Sequence, residues 1–292
     1  CLGLMDARRD YLLRGAEVRA LDLFERCARI RAFEERAAKA YDDGEIKLPM
    51  YLSLGQEFVA AACSIALPDV SVFVQHRCHS WMIAYGADLK GLADELRGRE
   101  SGICRGWGGS SNLYLKNGND TKVFGHDGLV GSQAMYGVGY AFASKKPTII
   151  VLGDAACEED YVLGAMGFAG TRKAPVLFVV EDNDFSILTR KSVRRNWSIQ
   201  RIANDFGVMA WRSDGISEFV EELGDSPETR LTLPALIEVP VVRERWHAGT
   251  GIDKDTPDSY WPDYRAEMYD LDPETVVAIE TMAIADAEEA WK

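Results

Sequence analysis

Segments with helical hydrophobic spacing alternate along this chain with short runs that are almost wholly apolar. Val18, Leu21 and Phe24 fall near helical spacing, whereas residues 147–152 form an apolar run. Runs of that length predict strands that are buried on both faces, as in parallel sheets. Helices are predicted at 17–41, 55–67, 88–97, 128–144, from near 158, 198–206, 216–223 and 272–291, and strands at 71–75, 147–152, 175–180, 208–211 and 234–242.

This alternation of strands and helices predicts an α/β fold with a parallel sheet. The chain contains no internal repeat and no linker of low complexity. We therefore expect a single domain over residues 1–292, with 1–50 as an N-terminal helical extension and 243–292 as a loop plus a C-terminal helix. Cys1 is not a natural start, so we expect residues to precede it.

Two apolar runs in the middle of the chain each end in acidic or amide residues. The first ends at Asp154 and the second, 175–180, leads into Asn183. Because ligands bind at the carboxyl ends of parallel strands, we expect these two side chains to lie together in a site. Their oxygens suit Mg²⁺, which keeps its remaining positions for water and phosphate. Alternatively, Asp154 caps the following helix and Asn183 lies in a turn.

Composition narrows the possible partners. The 292 residues are 47% hydrophobic and 27% charged, as in an ordinary globular protein. A formal net charge of −13 argues against nucleic acid or an anionic membrane surface as a partner. No apolar run approaches the roughly 20 residues that span a bilayer. Neither GxGxxG nor GxxxxGK[ST] occurs, which disfavours nicotinamide and ATP sites.

The six cysteines form no CxxC pair and no regular framework. In a chain of this length, scattered cysteines are more often reduced core residues than disulfides. We therefore expect a cytoplasmic protein.

Histidines and glycines occur where loops are predicted. Arg77, after the strand 71–75, offers a fork of donors that suits a phosphate. His76 and His79 next to Cys78 resemble metal ligands, but no second cluster has suitable spacing for zinc. His79 is as consistent with a satisfied structural histidine as with proton transfer.

Two further histidines and one glycine-rich segment lie in predicted loops. His126 stands beside an aspartate in a glycine-rich turn, which favours a site residue. His247 either faces a substrate or pins its loop. The glycine-rich segment 98–109 is too irregular for a helix, so we expect it to wrap a ligand or an interface.

Three blocks in order carry a resemblance to a known family: HRCHSWMIAYG with ELRGRESGICRGWGGSSNLY, then FGHDGLVGSQAMYGVGYAFASK, then GDA…EDNDF. The chain resembles, from about Glu17 to about Val242, the alpha subunit of thiamine diphosphate-dependent 2-oxoacid dehydrogenase E1 components of the pyruvate and acetoin type. The family's GDG motif, followed after about twenty-six residues by NN, stands here as GDA and DN with the spacing kept. The resemblance implies a doubly wound parallel sheet with helices on both faces, the diphosphate-binding half of a transketolase-like fold.

The resemblance implies a role for each matching residue. Asp154, Asn183 and the main-chain carbonyl of Phe185 would hold Mg²⁺, which ties down thiamine diphosphate. His79, His126 and His247 would be the catalytic histidines. The residues implied to contact the cofactor are His76, Arg77, Gly128, Val130, Gly153, Asp154, Ala155, Ala156 and Asn183.

The implied chemistry is that of thiamine diphosphate. Its thiazolium C2 becomes a carbanion that attacks a ketone carbon, and the ring then stores the electrons released when a C–C bond breaks. In this family the activating glutamate belongs to a pyrimidine-binding domain, usually on a beta subunit. The resemblance therefore implies inactivity alone and activity in an αβ pair or an α2β2 tetramer, with the small-residue helix 128–144 as a packing surface.

Departures from the family pattern leave three functions open. His76 stands where a tyrosine is usual, and His126 replaces a glycine beside the cofactor ring. In the loop usually reading RYHGHS, His247 matches the first histidine, but Gly249 replaces the second, which helps acyl transfer to the lipoyl domain of E2. The alternatives are E1-like oxidative decarboxylation, a split transketolase-like carboligase, and a non-catalytic partner subunit that binds the cofactor.

Overall fold

The computed structural model describes residues 2–116, 122–213, 215–224, 233–253, 264 and 271–292. Among these residues, seven strands form one sheet in the order β2-β3-β1-β4-β5-β9-β8, and two more form a hairpin, β6-β7. β2 runs antiparallel to β3, and the other pairs in the large sheet are parallel. The strands are β1 Ser71–Phe73, β2 Leu115–Lys116, β3 Lys122–Phe124, β4 Thr148–Gly153, β5 Val176–Asp182, β6 Phe185–Ser186, β7 Thr189–Arg190, β8 Met209–Arg212 and β9 Ala235–Pro240.

Helices cover both faces of the large sheet. Along β4, Ile149 and Val151 enter one apolar cluster, whereas Ile150 and Leu152 enter another, because successive strand side chains point to opposite faces. Helices α1–α4, α9 and α10 pack in the first cluster, and α5, α6 and α8 in the second. The helices are α1 Leu2–Asp42, α2 Glu57–Ala66, α3 His79–Ala84, α4 Leu89–Leu96, α5 Gln133–Ser144, α6 Asp160–Arg172, α7 Lys191–Arg194, α8 Ile199–Asp205, α9 Ile216–Gly224 and α10 Pro273–Ala290.

This architecture confirms the expected doubly wound sheet. The central strands β4 and β5 lie within two residues of their predicted bounds, since continuous apolar runs are the pattern of strands buried on both faces. The division into a single domain over residues 1–292 stays a prediction. Much of the predicted loop after β9 lies outside the described residues.

Three local predictions were wrong. The helix expected from residue 128 begins at Gln133, because Gly128 and Gly131 have φ of +96° and +84°, which a helix does not allow. The loop expected to carry His79 ends at Cys78, because α3 begins at His79. The first helix begins at Leu2 rather than at residue 17.

The glycine-rich segment 98–109 wraps a carboxylate of its own chain. Glu95 is fully buried at the end of α4 and accepts hydrogen bonds from the backbone N–H groups of Cys104, Gly106 and Gly108 at 2.8, 2.8 and 2.6 Å. A Cβ on Gly102 would lie 2.4 Å from a Glu95 oxygen. The loop therefore needs its glycines to enclose Glu95.

Of the described cysteines, Cys27, Cys63, Cys78 and Cys157 are buried and Cys104 is half-buried, as expected of reduced core residues. No described helix has both the length and the apolar character that crossing a bilayer requires.

Candidate functional site

A cleft opens where the central strands end. It encloses about 690 Å³ of space, part of it open to solvent, at the carboxyl ends of β1, β4, β5 and β9. Its lining residues are Gln75, His76, Arg77, His126, Val130, Gly131, Gln133, Gly153, Asp154, Ala155, Ala156, Asn183, Phe185, Ser186, Ile187, Arg243 and His247. Ligands bind at this edge in open α/β sheets.

Asp154 and Asn183 lie in this lining, at the ends of two neighbouring strands. β4 and β5 are adjacent and parallel, with Gly153 opposite Glu181, so the residues that follow these strands emerge side by side. Asp154 is buried, and the side-chain oxygen of Asn183 accepts from the N–H of Phe185 at 3.1 Å. Burial and the nearby Asp182 charge raise the pKa of Asp154 to about 6. No cluster of three acidic, histidine or cysteine ligands occurs within the described ranges.

The charge of Asp154 is balanced by basic residues that sequence reasoning missed. Arg194, on α7, contacts the Asp154 carboxylate and donates to Glu158 at 2.7 Å. Arg195 donates to the main-chain oxygen of Asp154 at 3.2 Å. These residues are 40 and 41 positions from Asp154, and no local pattern indicated the contact.

A buried arginine forms the other charged part of the cleft. Arg77 is 2% exposed and donates to the carbonyl oxygens of Leu52 at 2.8 Å and His247 at 3.1 Å. Burial and the neighbouring charge of Arg243 lower its pKa to about 10. Arg243, which follows β9, also lines the cleft and was missed, although its position at a strand end was a usable signal.

Three of the four histidines gather in the cleft. The ring centroid of His76 lies 6.0 Å from that of His126 and 5.2 Å from that of His247. The ring centroid of Tyr51 lies 5.1 Å from that of His76. Burial lowers the pKa of all three imidazoles, that of His247 to about 4 with help from Arg77. They are therefore neutral near pH 7. The Nε2 atom of His76 is buried without a hydrogen-bond partner.

His79 lies outside the lining. It is fully buried, its Nδ1 lies 2.9 Å from a Glu34 oxygen, and its Nε2 lies 3.0 Å from the Ser110 hydroxyl. That hydroxyl accepts from the N–H of Tyr51 at 3.0 Å. Both imidazole nitrogens are thus occupied, which matches the structural alternative for this residue.

Of the residues whose backbone was predicted to contact the cofactor, all but one line the cleft. Gly153, Ala155, Ala156 and Val130 line the cleft. Gly128 does not, and its N–H donates to Nδ1 of His126 at 3.0 Å.

The far wall of the cleft is the 241–253 segment, which carries His247. Arg31 on α1 binds Glu244 through two hydrogen bonds of 2.8 Å each. The N–H of Gly249 donates to the Met50 carbonyl at 2.8 Å. At Gly55 an added Cβ would lie 2.4 Å from the carbonyl oxygen of Val242. The segment therefore lies in close contact with α1 and the loop that follows it.

Comparison with known proteins identifies the family of this chain. Residues 25–214 match the model of the family described as dehydrogenase E1 component. Pyruvate dehydrogenase E1 component subunit alpha from Zymomonas mobilis is 35% identical over 67% of this chain and 57% of its own length. The Rhizobium meliloti protein of the same name is 33% identical over 64% of this chain and 55% of its own length. The Rickettsia typhi protein of that name is 31% identical over 75% of this chain and 70% of its own length. The chain thus spans little more than half the length of the first two relatives.

Solved structures share the fold at low sequence identity. A transketolase variant from Pichia stipitis superposes with a TM-score of 0.58 at 14% identity, over 93% of this chain and 45% of its own. Transketolase from Leishmania mexicana superposes with a TM-score of 0.58 at 15% identity, over 93% of this chain and 46% of its own. The fold is therefore that of transketolases, and the sequence match assigns this chain to the dehydrogenase E1 component family.

Proposed function

We propose that this chain is the diphosphate-binding subunit of a thiamine diphosphate- and Mg²⁺-dependent enzyme. Its reaction cleaves a C–C bond next to a carbonyl in a 2-oxoacid or ketone and passes on the acyl or aldehyde unit. The observation that carries this proposal is the pair Asp154 and Asn183, which emerge from adjacent parallel strands into one cleft with Arg77.

The residues present fit a metal-bound diphosphate. Asp154 and Asn183 supply the hard oxygen donors that Mg²⁺ prefers, and the main-chain carbonyl of Phe185 is a third candidate. Arg77 brings positive charge to the same cleft, where an anionic diphosphate would need it, whereas the charge of Arg243 is balanced by the buried Asp253. The partnerless Nε2 of the buried His76 is one further polar atom that a ligand would satisfy.

When bound, thiamine diphosphate supplies a carbanion that attacks a carbonyl carbon and a ring that accepts the released electrons. The neutral histidines of this chain suit proton handling around that reaction. Nδ1 of His126 accepts from Gly128, so in the neutral ring the proton is carried by Nε2, which can donate it. The carbonyl of His247 accepts from Arg77, which orients the 241–253 segment towards the cleft.

The second half of the site would come from a beta subunit that carries the pyrimidine-binding domain and the activating glutamate, in an α2β2 tetramer. An exposed apolar surface around α5 and α6 supports such a partner. Its members are Leu129, Val130, Met135, Tyr136 and Phe168, each 40–53% exposed. We propose that the chain alone is inactive.

A carboligase is a second candidate, favoured by the backbone at Gly249. Its φ of +99° suits glycine and disfavours the histidine that the family places there for acyl transfer to E2. Reduction of an artificial electron acceptor with a 2-oxoacid would support a dehydrogenase. A coupled product from two carbonyl compounds without an oxidant would support the carboligase.

Calorimetry of the chain with its partner tests the cofactor proposal. We expect Mg²⁺-dependent binding of thiamine diphosphate. Asp154→Ala should abolish this binding and the turnover of the complex. Asp205→Ala, at an exposed position of α8, should change neither binding nor turnover. Absence of binding by the complex would refute the proposal. Full turnover by the Asp154→Ala complex would instead support a non-catalytic role for the bound cofactor.

A further inference from the structure

We infer that Arg194 is an internal counter-ion that holds the metal-binding carboxylate of Asp154 and must leave it when a divalent cation binds. The inference rests on the proposed function, since it concerns the same carboxylate. It adds a residue that opposes metal binding and a movement that accompanies it.

The geometry gives Arg194 the place of a cation. One guanidinium nitrogen contacts the Asp154 carboxylate, the other lies 2.7 Å from a Glu158 oxygen, and the side chain is 11% exposed. The guanidinium occupies one oxygen of the Asp154 carboxylate, and its positive charge repels a divalent cation that approaches the other oxygen. Arg194 and a divalent cation therefore compete for Asp154.

The surrounding charges are already balanced. The described ion pairs at this edge of the sheet join four carboxylates to four cations: Asp154, Glu158, Asp182 and Glu238 with Lys191, Arg194, Arg195 and Arg212. A dication added to this set creates an excess of positive charge, which favours the withdrawal of a basic side chain. Arg194 is the one in contact with the Asp154 carboxylate.

Arg194 can withdraw at low cost. The Arg194 side chain can swing out alone, because Val193 beside it is 77% exposed and the ion pairs of Lys191 with Asp182 and Glu238 stay in place. The Nε of Arg194 is buried without a hydrogen-bond partner, so the paired state leaves one donor unsatisfied. Exchange of Arg194 for a metal would therefore remove few contacts besides the two ion pairs.

Titration of the purified full chain with Mn²⁺, followed by the electron paramagnetic resonance signal of the free ion, tests this role. Arg194→Met should bind Mn²⁺ about tenfold more tightly than the wild type, because a charge-assisted hydrogen bond no longer competes. Arg194→Lys keeps the charge and should stay near the wild-type affinity. Arg201→Met, which removes the same charge from an exposed position of α8, controls for net charge.

The outcomes separate the two proposals. Mn²⁺ binding that Arg194→Met leaves unchanged, or that Arg201→Met strengthens equally, overturns the counter-ion role and leaves the proposed function intact. If no variant binds Mn²⁺, the counter-ion role falls together with the metal site. Trypsin supplies a measurement on the wild type: cleavage after Arg194 should be faster with Mn²⁺, and an unchanged rate overturns the inference.

Discussion

Glu181 is a buried carboxyl whose protonation we expect to contribute to the pH dependence of stability. It is 1% exposed at the end of β5 and accepts hydrogen bonds from Gln75 at 2.5 Å and from Trp81 at 3.0 Å. Burial raises its pKa from 4.5 to about 7 despite these donors. Gln75 lines the cleft, so the carboxyl is linked to the site by a single hydrogen bond.

The sign of the effect follows from proton counting. Between pH 4.5 and 7 the folded chain holds a proton on Glu181 that the unfolded chain has released, so the free energy of unfolding falls as the pH rises. A shift of about 2.5 units corresponds to about 3 kcal/mol in total, of which about 2 kcal/mol falls between pH 5.5 and 8. The contribution levels off above about pH 8, one unit above the pKa of Glu181 in the folded chain.

Glu181→Gln removes this titration. Urea unfolding followed by circular dichroism, at pH 5.5 to 8, should show the wild type losing about 2 kcal/mol relative to the variant as the pH rises. Glu100→Gln, at an exposed position, should show no such trend. A wild-type-to-variant difference that does not change with pH would refute the reasoning, and one of opposite sign would mean that Glu181 is ionised in the folded chain.

Two further predictions concern buried contacts behind the cleft. Glu34→Ala should destabilise the chain by about 3–5 kcal/mol in urea unfolding, because it leaves His79 and Ser53 without their buried acceptor; a loss below about 1 kcal/mol would contradict this. Gly55→Ala should lower the free energy of unfolding by about 2 kcal/mol or more and speed proteolysis within residues 241–253, because φ is +89° and the added methyl would collide with Val242. The control is Gly44→Ala, where φ is +78° but no atom lies near the added methyl, so that this variant carries the backbone strain without the collision.

The sequence predicted those parts of the fold that have a strong local pattern. Apolar runs identified β4 and β5, and the rule for strand ends brought Asp154 and Asn183 to one edge. The strands β2, β6 and β7 were missed because two-residue strands carry no periodicity. Ends of helices depended on backbone conformation, as at Gly128 and Gly131, which composition alone does not reveal.

The site was predicted in part for a similar reason. His76 and His126 lie in the family blocks and His247 in the later loop compared with RYHGHS, and the structure brings the three rings together. The direction in which a histidine points is not a sequence property, so His79 stayed open until its partners were seen. Arg194 resembled any surface arginine, because its partner lies 40 residues away.

The attachment of the 241–253 segment has a consequence for how the site arises during folding. The contacts that complete the cleft join residues far apart in sequence: Arg31 with Glu244 across 213 positions, and Arg77 with His247 across 170. Contacts between residues so far apart in sequence carry a loop-closure entropy cost, and we expect them to form late in folding. During synthesis the central strands can therefore pair before the far wall of the cleft is in place.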